Sequence, residues 1–283
     1  MSLQFIMGNS GSGKSYCLYD TVVREAIENP DKNYLVIVPE QFTMQTQKDL
    51  CLAHPKGGIM NIDVLSFGRL AHRVFEEVGQ DARVVLDDEG KNLVLRKIAG
   101  ECEKDLKVFK GNLKKQGYIS EVKSVLSEFA QYGVDFERLD DFMKEVPPES
   151  YLHYKLDDIR TIYEKFEEYL SEKYITKEEM LDVLSDAVPY SDILKGSVVA
   201  MDGFTGFTPV QNRLIGELFS VCEKVMITVT MDGRENPYVY EHPYQIFALG
   251  KQMVTSLMKI AGEKKTEIEE PICLFERPVY RFR

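Results

Sequence analysis

The sequence predicts an α/β fold, a parallel sheet that begins with a strand–loop–helix unit and is interrupted by a helical insertion. Three observations predict it. Leu3–Met7 is a short apolar run followed at once by Gly8-Asn9-Ser10-Gly11-Ser12-Gly13-Lys14-Ser15. Further short apolar runs recur at Tyr34–Pro39, Asn61–Phe67, Ser197–Asp202 and Lys224–Thr230, and continuous runs of this kind suit buried parallel strands. From about Asp87 to Ser185 the apolar residues instead step by three and four, the spacing of amphipathic helices. The expected organisation is therefore a sheet domain begun in residues 1–86, a helical insertion in 87–190, and the sheet domain resumed in 191–283.

The glycine-rich segment matches G-x-x-x-x-G-K-[ST] without a mismatch. Glycines let a backbone turn tightly and bring its N–H groups against phosphate oxygens. The helix expected from Lys14 adds the positive end of its dipole. Lys14 would reach the β- and γ-phosphates, and the Ser15 hydroxyl would take Mg²⁺. Gly8, Asn9, Ser10, Gly11, Ser12, Gly13, Lys14 and Ser15 are thus the expected nucleotide-binding set, with ATP and Mg²⁺ as ligands. The plainer alternative is a glycine-rich turn with no ligand, and the context of strand, loop and helix speaks against it. Leu18, Val22 and Ile27 are expected on the buried face of that helix, with Asn29-Pro30 as its stop.

A polar segment, Glu40–Gln47, separates the second apolar run from the third. In the insertion Leu156, Ile159, Tyr163, Phe166 and Leu170 form one stripe, and Val122, Val125, Leu126 and Phe129 a shorter one. Pro147-Pro148 divides two helical blocks, and Gln211–Ser220 reads as a helix between the last two strands. The strand ending in Asp202 is the best source of the second acidic group that a nucleotide-bound Mg²⁺ requires. Asp202 also begins an Asp-Gly pair, a common turn, so a metal-linked role and a turn role both stand. An active hydrolase would follow this Asp with a Glu that orients the attacking water. Here Gly203 follows, which has no side chain for that task.

Composition bounds the partners. The 283 residues carry 35 Lys and Arg against 46 Asp and Glu, a net charge of −11. A protein that coats nucleic acid by bulk attraction is basic, so any DNA contact must be local or shared with a partner. Apolar residues at 44% exclude disorder throughout. No run approaches the roughly 18 apolar residues of a membrane span, and Met1–Met7 lacks the pattern of a secretory leader. Cys17, Cys51, Cys102, Cys222 and Cys273 are scattered, which suits reduced thiols in the cytoplasm and not a zinc site or disulfide framework.

Three segments carry a resemblance. Val38-Pro39-Glu40-Gln41-Phe42-Thr43, Leu65-Ser66-Phe67-Gly68-Arg69-Leu70 and Asp202-Gly203-Phe204-Thr205-Gly206-Phe207-Thr208-Pro209-Val210-Gln211 follow the glycine-rich loop in order. Across the whole chain this resembles the N-terminal helicase-like region of the AddB family of ATP-dependent helicase/deoxyribonucleases. More distantly it is similar to superfamily 1 helicases of the UvrD type. The resemblance implies a P-loop, RecA-like 1A domain with a 1B-like insertion. Against the UvrD-type segment D-E-F-Q-D-T-N-x-x-Q, Asp202, Phe204 and Gln211 match, while Gly203, Thr205 and Gly206 depart. No Gln-containing segment that reads adenine precedes Gly8, and Met231–Pro237 shows no Gln that would sense a γ-phosphate.

The resemblance further implies an AddA-like motor and nuclease subunit as heterodimeric partner. Single-stranded DNA and double-stranded DNA ends are the implied nucleic acids, and double-strand break repair by homologous recombination the implied setting. It implies an iron–sulfur cluster in a C-terminal nuclease domain that these 283 residues do not include, so the chain is expected to be an N-terminal fragment. Helicase and nuclease activity are expected to be absent from it, and ATP hydrolysis slow or absent. A P-loop kinase or NTPase of another class, and a structural scaffold with a vestigial loop, are the competing readings.

Candidate DNA contacts follow strand ends: Phe42, Phe67, Arg69, His72 and Arg73. Phe42 and Phe67 read more readily as core residues than as stacking platforms, and Phe204 and Phe207 form a weaker aromatic pair. Lys104, Lys107, Lys110, Lys114, Lys115 and Lys123 form a basic stretch, with Lys104 and Lys107 expected on one helix face. They suit either phosphate contact or a solvated face. The acidic block 151–190 reads most simply as a solvated face or a protein contact.

Overall fold

A strand buried on both faces must be covered by helices on both, and β1 (Ser2–Gly8) is such a strand, with Leu3, Phe5, Ile6 and Met7 all buried. The computed structural model describes residues 1–79, 83–112, 115–171 and 173–275. After β1 come α1 (Lys14–Glu28), β2 (Tyr34–Ile37), a 3₁₀ turn at Glu40–Phe42, α2 (Thr43–Ala53), β3 (Ile62–Leu65) and α3 (Phe67–Val78). Next are β4 (Val84–Leu86), α4 (Asp88–Cys102), α5 (Gln116–Tyr132), α6 (Phe136–Glu145), α7 (Tyr151–Leu170), β5 (Tyr174–Thr176) and α8 (Lys177–Ala187). The last elements are β6 (Val198–Met201), α9 (Pro209–Val221), β7 (Lys224–Thr230), α10 (Ala248–Glu263), β8 (Glu267–Ile268) and β9 (Ile272–Cys273). The chain forms two compact units, Met1–Gln80 with Val183–Arg283, and Asp81–Asp182.

In the first unit the sheet order is β3-β2-β6-β7-β1-β8, with β9 also on β1, and every pairing is parallel. The expected α/β fold with a parallel sheet is observed. Ile6, Val36, Val198, Ala200 and Met226 meet Leu18, Val22, Val23 and Ala26 of α1 and Leu50 of α2 in one core. The alternate strand residues face the other way, where α9 and α10 pack on each other and on β7.

Ile27 does not join the buried face of α1: it is exposed, and Val23 and Ala26 complete that face with Leu18 and Val22. Nine residues at about 100° each carry Ile27 half a turn away from Leu18. The helix ends at Glu28, with Asn29 as its cap. β3 is shorter than its apolar run, because the Ser66 hydroxyl accepts the Arg69 N–H and starts α3 at Phe67.

The second unit is built on α4, α5, α6 and α7. Leu156, Ile159, Tyr163, Phe166 and Leu170 are all buried in its core, with Val122 and Leu126. It also holds a two-stranded parallel sheet, Val84–Leu86 on Tyr174–Thr176, whose three-residue strands are too short to show a pattern in the sequence. Lys104 and Lys107 do not share a helix face: α4 stops at Cys102, and both lysines lie in the turns beyond it. The cause is distant in sequence. The carboxylate of Asp158 on α7, 1% exposed, accepts the N–H groups of Lys107, Val108 and Phe109 at 2.8, 2.7 and 2.8 Å. A buried carboxylate satisfied by three amides fixes a loop, and those amides are lost to any helix. The Lys107 ammonium is itself paired with Asp157 at 2.9 Å. Lys114 lies outside the described residues.

Beside this core the Glu167 carboxyl meets that of Glu179, which also accepts the Thr176 N–H at the start of α8. Burial, then the Glu179 charge, raises Glu167 to about 7. The neighbouring cation Lys91 is committed to Glu178 at 2.7 Å and to Ser127. Folding therefore favours the protonated Glu167, and stability should fall as pH rises from about 4.5 to about 7. Thermal unfolding at several pH values should show this loss in the wild type, and Glu167→Gln should flatten it. An equal slope in the variant would remove Glu167 as the cause.

Candidate functional site

The parallel register fixes what sits at the carboxyl edge of the sheet. Gly8 aligns with Thr230, and Met201 aligns with Ile227 on one side and Ile37 on the other. Asn9–Gly13, Asp202 and Pro39 therefore all leave the sheet at the same edge, where ligands of open α/β sheets bind.

The loop has the shape of an anion cradle. Gly11 and Gly13 adopt φ of 79° and 90°, the left-handed region that glycine occupies without strain. The Ser12 N–H donates to the Asn9 carbonyl at 3.1 Å. The Ser12 side chain folds inward, 2% exposed, and its hydroxyl occupies the place where a Cβ on Gly8 would stand. Any side chain at position 8 would displace it. That Ser12 hydroxyl has no hydrogen-bond partner among the described residues. No side chain caps the first turn of α1, so its N–H groups are left for another acceptor. The Lys14 ammonium donates to the carbonyls of Gly8 and Asn9 at 3.1 and 2.9 Å. Burial pulls Lys14 below its ordinary value, and the Asp202 carboxylate pulls it partly back. An orphaned hydroxyl, an uncapped helix start and a lysine resting on loop carbonyls fit a phosphate chain.

Asp202 is 7% exposed. Its two oxygens accept the Thr228 hydroxyl at 2.6 Å and the Tyr19 hydroxyl at 2.8 Å, and its N–H donates to the Ile37 carbonyl. Burial, then the Asp202 charge, raises the Tyr19 phenol far above its ordinary value, so it stays a neutral donor. Ser15 is exposed on the first turn of α1. Among the described residues no group of three or more His, Cys, Asp or Glu side chains is placed to hold a metal. That is compatible with Mg²⁺, which takes one or two protein groups and fills its shell with water and phosphate oxygens.

Gly203 has φ of 79°, and a Cβ there would lie 3.5 Å from both the Phe42 ring and Pro39. Phe67 is buried and joins Phe204 and Phe207 in one cluster, with centroids 5.4 and 6.4 Å away. Phe42 and Arg69 are exposed, while Arg73 is paired with Asp63 at 3.0 Å. Gln211 closes a capping box with Thr208 at the start of α9. Thus Gly8–Ser15 and Asp202 come together, with Phe42 beside Gly203. Lys104 and Lys107 belong to the other unit.

Tyr19, Thr46 and Thr228 join this site without any motif to mark them. Thr228 carries a signal, since it is a lone polar residue inside the buried part of an apolar strand. Tyr19 carries none beyond its burial-prone helix position. Among the described residues no disulfide joins the five cysteines, and no helix is long and apolar enough to cross a membrane.

Because a non-glycine residue in the left-handed region costs about 1–2 kcal/mol, Gly203→Ala should destabilise the chain by about that amount in denaturant unfolding. An unchanged midpoint would show that the backbone at 203 relaxes freely.

The chain matches the family described as ADDB, N-terminal, over residues 5–283. A protein of Lachnoclostridium phytofermentans, named as the B component of an ATP-dependent helicase/deoxyribonuclease, is 46% identical over 273 residues, 96% of this chain and 24% of that protein. Proteins of the same name from Clostridium kluyveri and Clostridium tetani are 36% and 34% identical over the full chain. The chain spans about a quarter of the length of these relatives.

Proposed function

The chain belongs to the AddB N-terminal family, and from that premise we propose that it is the nucleotide-binding, RecA-like 1A region of an AddB-type protein, with a 1B-like helical insertion. That protein would act with an AddA-like partner in a helicase–nuclease that processes DNA ends in double-strand break repair. The observation that supports the nucleotide reading is the loop itself: two left-handed glycines, an uncapped first turn of α1 and the Lys14 ammonium on the carbonyls of Gly8 and Asn9.

In this reading the amides of Gly11–Ser15 hold the β-phosphate, and Lys14 leaves the carbonyls of Gly8 and Asn9 for the β- and γ-phosphate oxygens. Ser15 and Asp202 would hold Mg²⁺, which when bound neutralises phosphate charge. Asp202 is followed by Gly203, which offers no carboxylate to orient a water for attack. The domain then binds nucleotide and hydrolyses it slowly or not at all. At the same sheet edge Phe42 and Arg69 are exposed beside the Phe67–Phe204–Phe207 cluster. Aromatic faces with an exposed guanidinium suit unstacked bases and their phosphates, so this edge is the favoured surface for single-stranded DNA.

Calorimetric titration of Mg²⁺–ATP should give saturable binding that Lys14→Ala weakens by at least about tenfold. Turnover should stay far below the enzyme median of about 10 s⁻¹. In the same preparation Arg69→Ala should weaken binding of a labelled single strand and leave ATP affinity unchanged. No ATP binding would overturn the nucleotide reading, and turnover near the median that needs Lys14 would overturn the slow hydrolysis while upholding the binding. Unaltered strand binding by Arg69→Ala would overturn the DNA surface.

A further inference from the structure

The Tyr19 hydroxyl is placed for more than filling space. Tyr19 lies in an apolar cluster with Leu18, Val22 and Leu50, where a phenylalanine would occupy the same volume without burying a polar atom. Its oxygen instead joins three elements. It donates to Asp202 Oδ2 at 2.8 Å and lies 3.2 Å from Thr46 Oγ1 on α2. A carboxylate accepts only, so the single phenol proton goes to Asp202 and the Thr46 hydroxyl donates to Tyr19. The relay runs from α2 through α1 to the carboxylate at the end of β6, and Thr46 is itself buried.

A second contact reaches the same segment independently. The 3₁₀ turn Glu40–Phe42 leads directly into α2, and the Phe42 ring lies against Gly203, the residue after Asp202. Asp202 is thus joined to Thr46 through hydroxyls, and the Phe42 ring stands beside Gly203, 3.5 Å from where a Cβ there would lie. Both carboxylate oxygens are engaged, one by Tyr19 and the other by Thr228. Any cation drawn to Asp202 must share it with these donors, and in a buried network such a change passes to the next hydrogen bond.

We propose that Tyr19 is a positioning residue that holds Asp202 and transmits occupancy of the Gly8–Ser15 loop to the segment 40–53, which carries Phe42. The proposal rests on the nucleotide reading above and adds a residue and a direction to it. Thr228 holds the other oxygen from β7, and so serves as the control for mere support of Asp202.

The test is hydrogen exchange of the full chain with and without Mg²⁺–ATP, with ATP affinity measured on the same samples. In the wild type, ATP should slow exchange across residues 40–53 by about tenfold. At Mg²⁺–ATP concentrations that saturate each variant by its own measured affinity, Tyr19→Phe should lose the slowing. Thr46→Val, which leaves the Tyr19–Asp202 bond in place, should lose it as well, and it carries the test alone should Tyr19→Phe fail to fold. Thr228→Val should retain it. If ATP binds the wild type and 40–53 does not respond, or if it responds equally in Tyr19→Phe and Thr46→Val, the inference is overturned and the nucleotide reading survives. If the wild type binds no ATP, both are overturned.

Discussion

The parallel register of β1, β7, β6 and β2 is the constraint on which the site depends. With Gly8 opposite Thr230, and Met201 between Ile227 and Ile37, the glycine-rich loop, Asp202 and Pro39 leave the sheet at one edge. A slip of one residue would turn Asp202 and Thr228 to opposite faces and break the 2.6 Å bond between them. The buried polar pair helps to specify that register, because a slip would leave Thr228 and Asp202 buried without each other.

Two buried carboxylates then organise the rest. Asp202 gathers hydroxyls from α1 and β7 at the sheet edge. Asp158 gathers three backbone amides in the second unit and fixes the loop at residues 107–109. In each case the cost of burying the carboxylate is offset by hydrogen bonds from partners remote in sequence. Removing those partners leaves a buried acceptor unsatisfied, which costs more than the bonds themselves contribute.

These remote bonds explain which features are legible in the sequence. Apolar runs and three- or four-residue spacing report local geometry, so β1, β2, β6, β7 and the stripe on α7 can be read directly, as can the glycine-rich loop. Ile27 misleads because nine residues exceed two turns by half a turn. The turns at Lys104 and Lys107 are not legible because their cause is Asp158, about fifty residues away. Tyr19 and Asp202 are separated by 183 positions, and no local pattern joins a phenol to a distant carboxylate. Gly203 is half legible. Its missing side chain is evident, while its left-handed backbone and the Phe42 ring beside it are not.

If Gly8–Ser15 is a phosphate cradle, Lys14, which rests on the carbonyls of Gly8 and Asn9, must turn to the phosphates when nucleotide binds. A crystal structure of the chain with Mg²⁺ and a non-hydrolysable ATP analogue tests this most directly. Phosphate density is expected against the first turn of α1, with the Lys14 ammonium moved off those carbonyls. Density for the analogue elsewhere, or Lys14 still resting on the carbonyls beside a bound analogue, would contradict it.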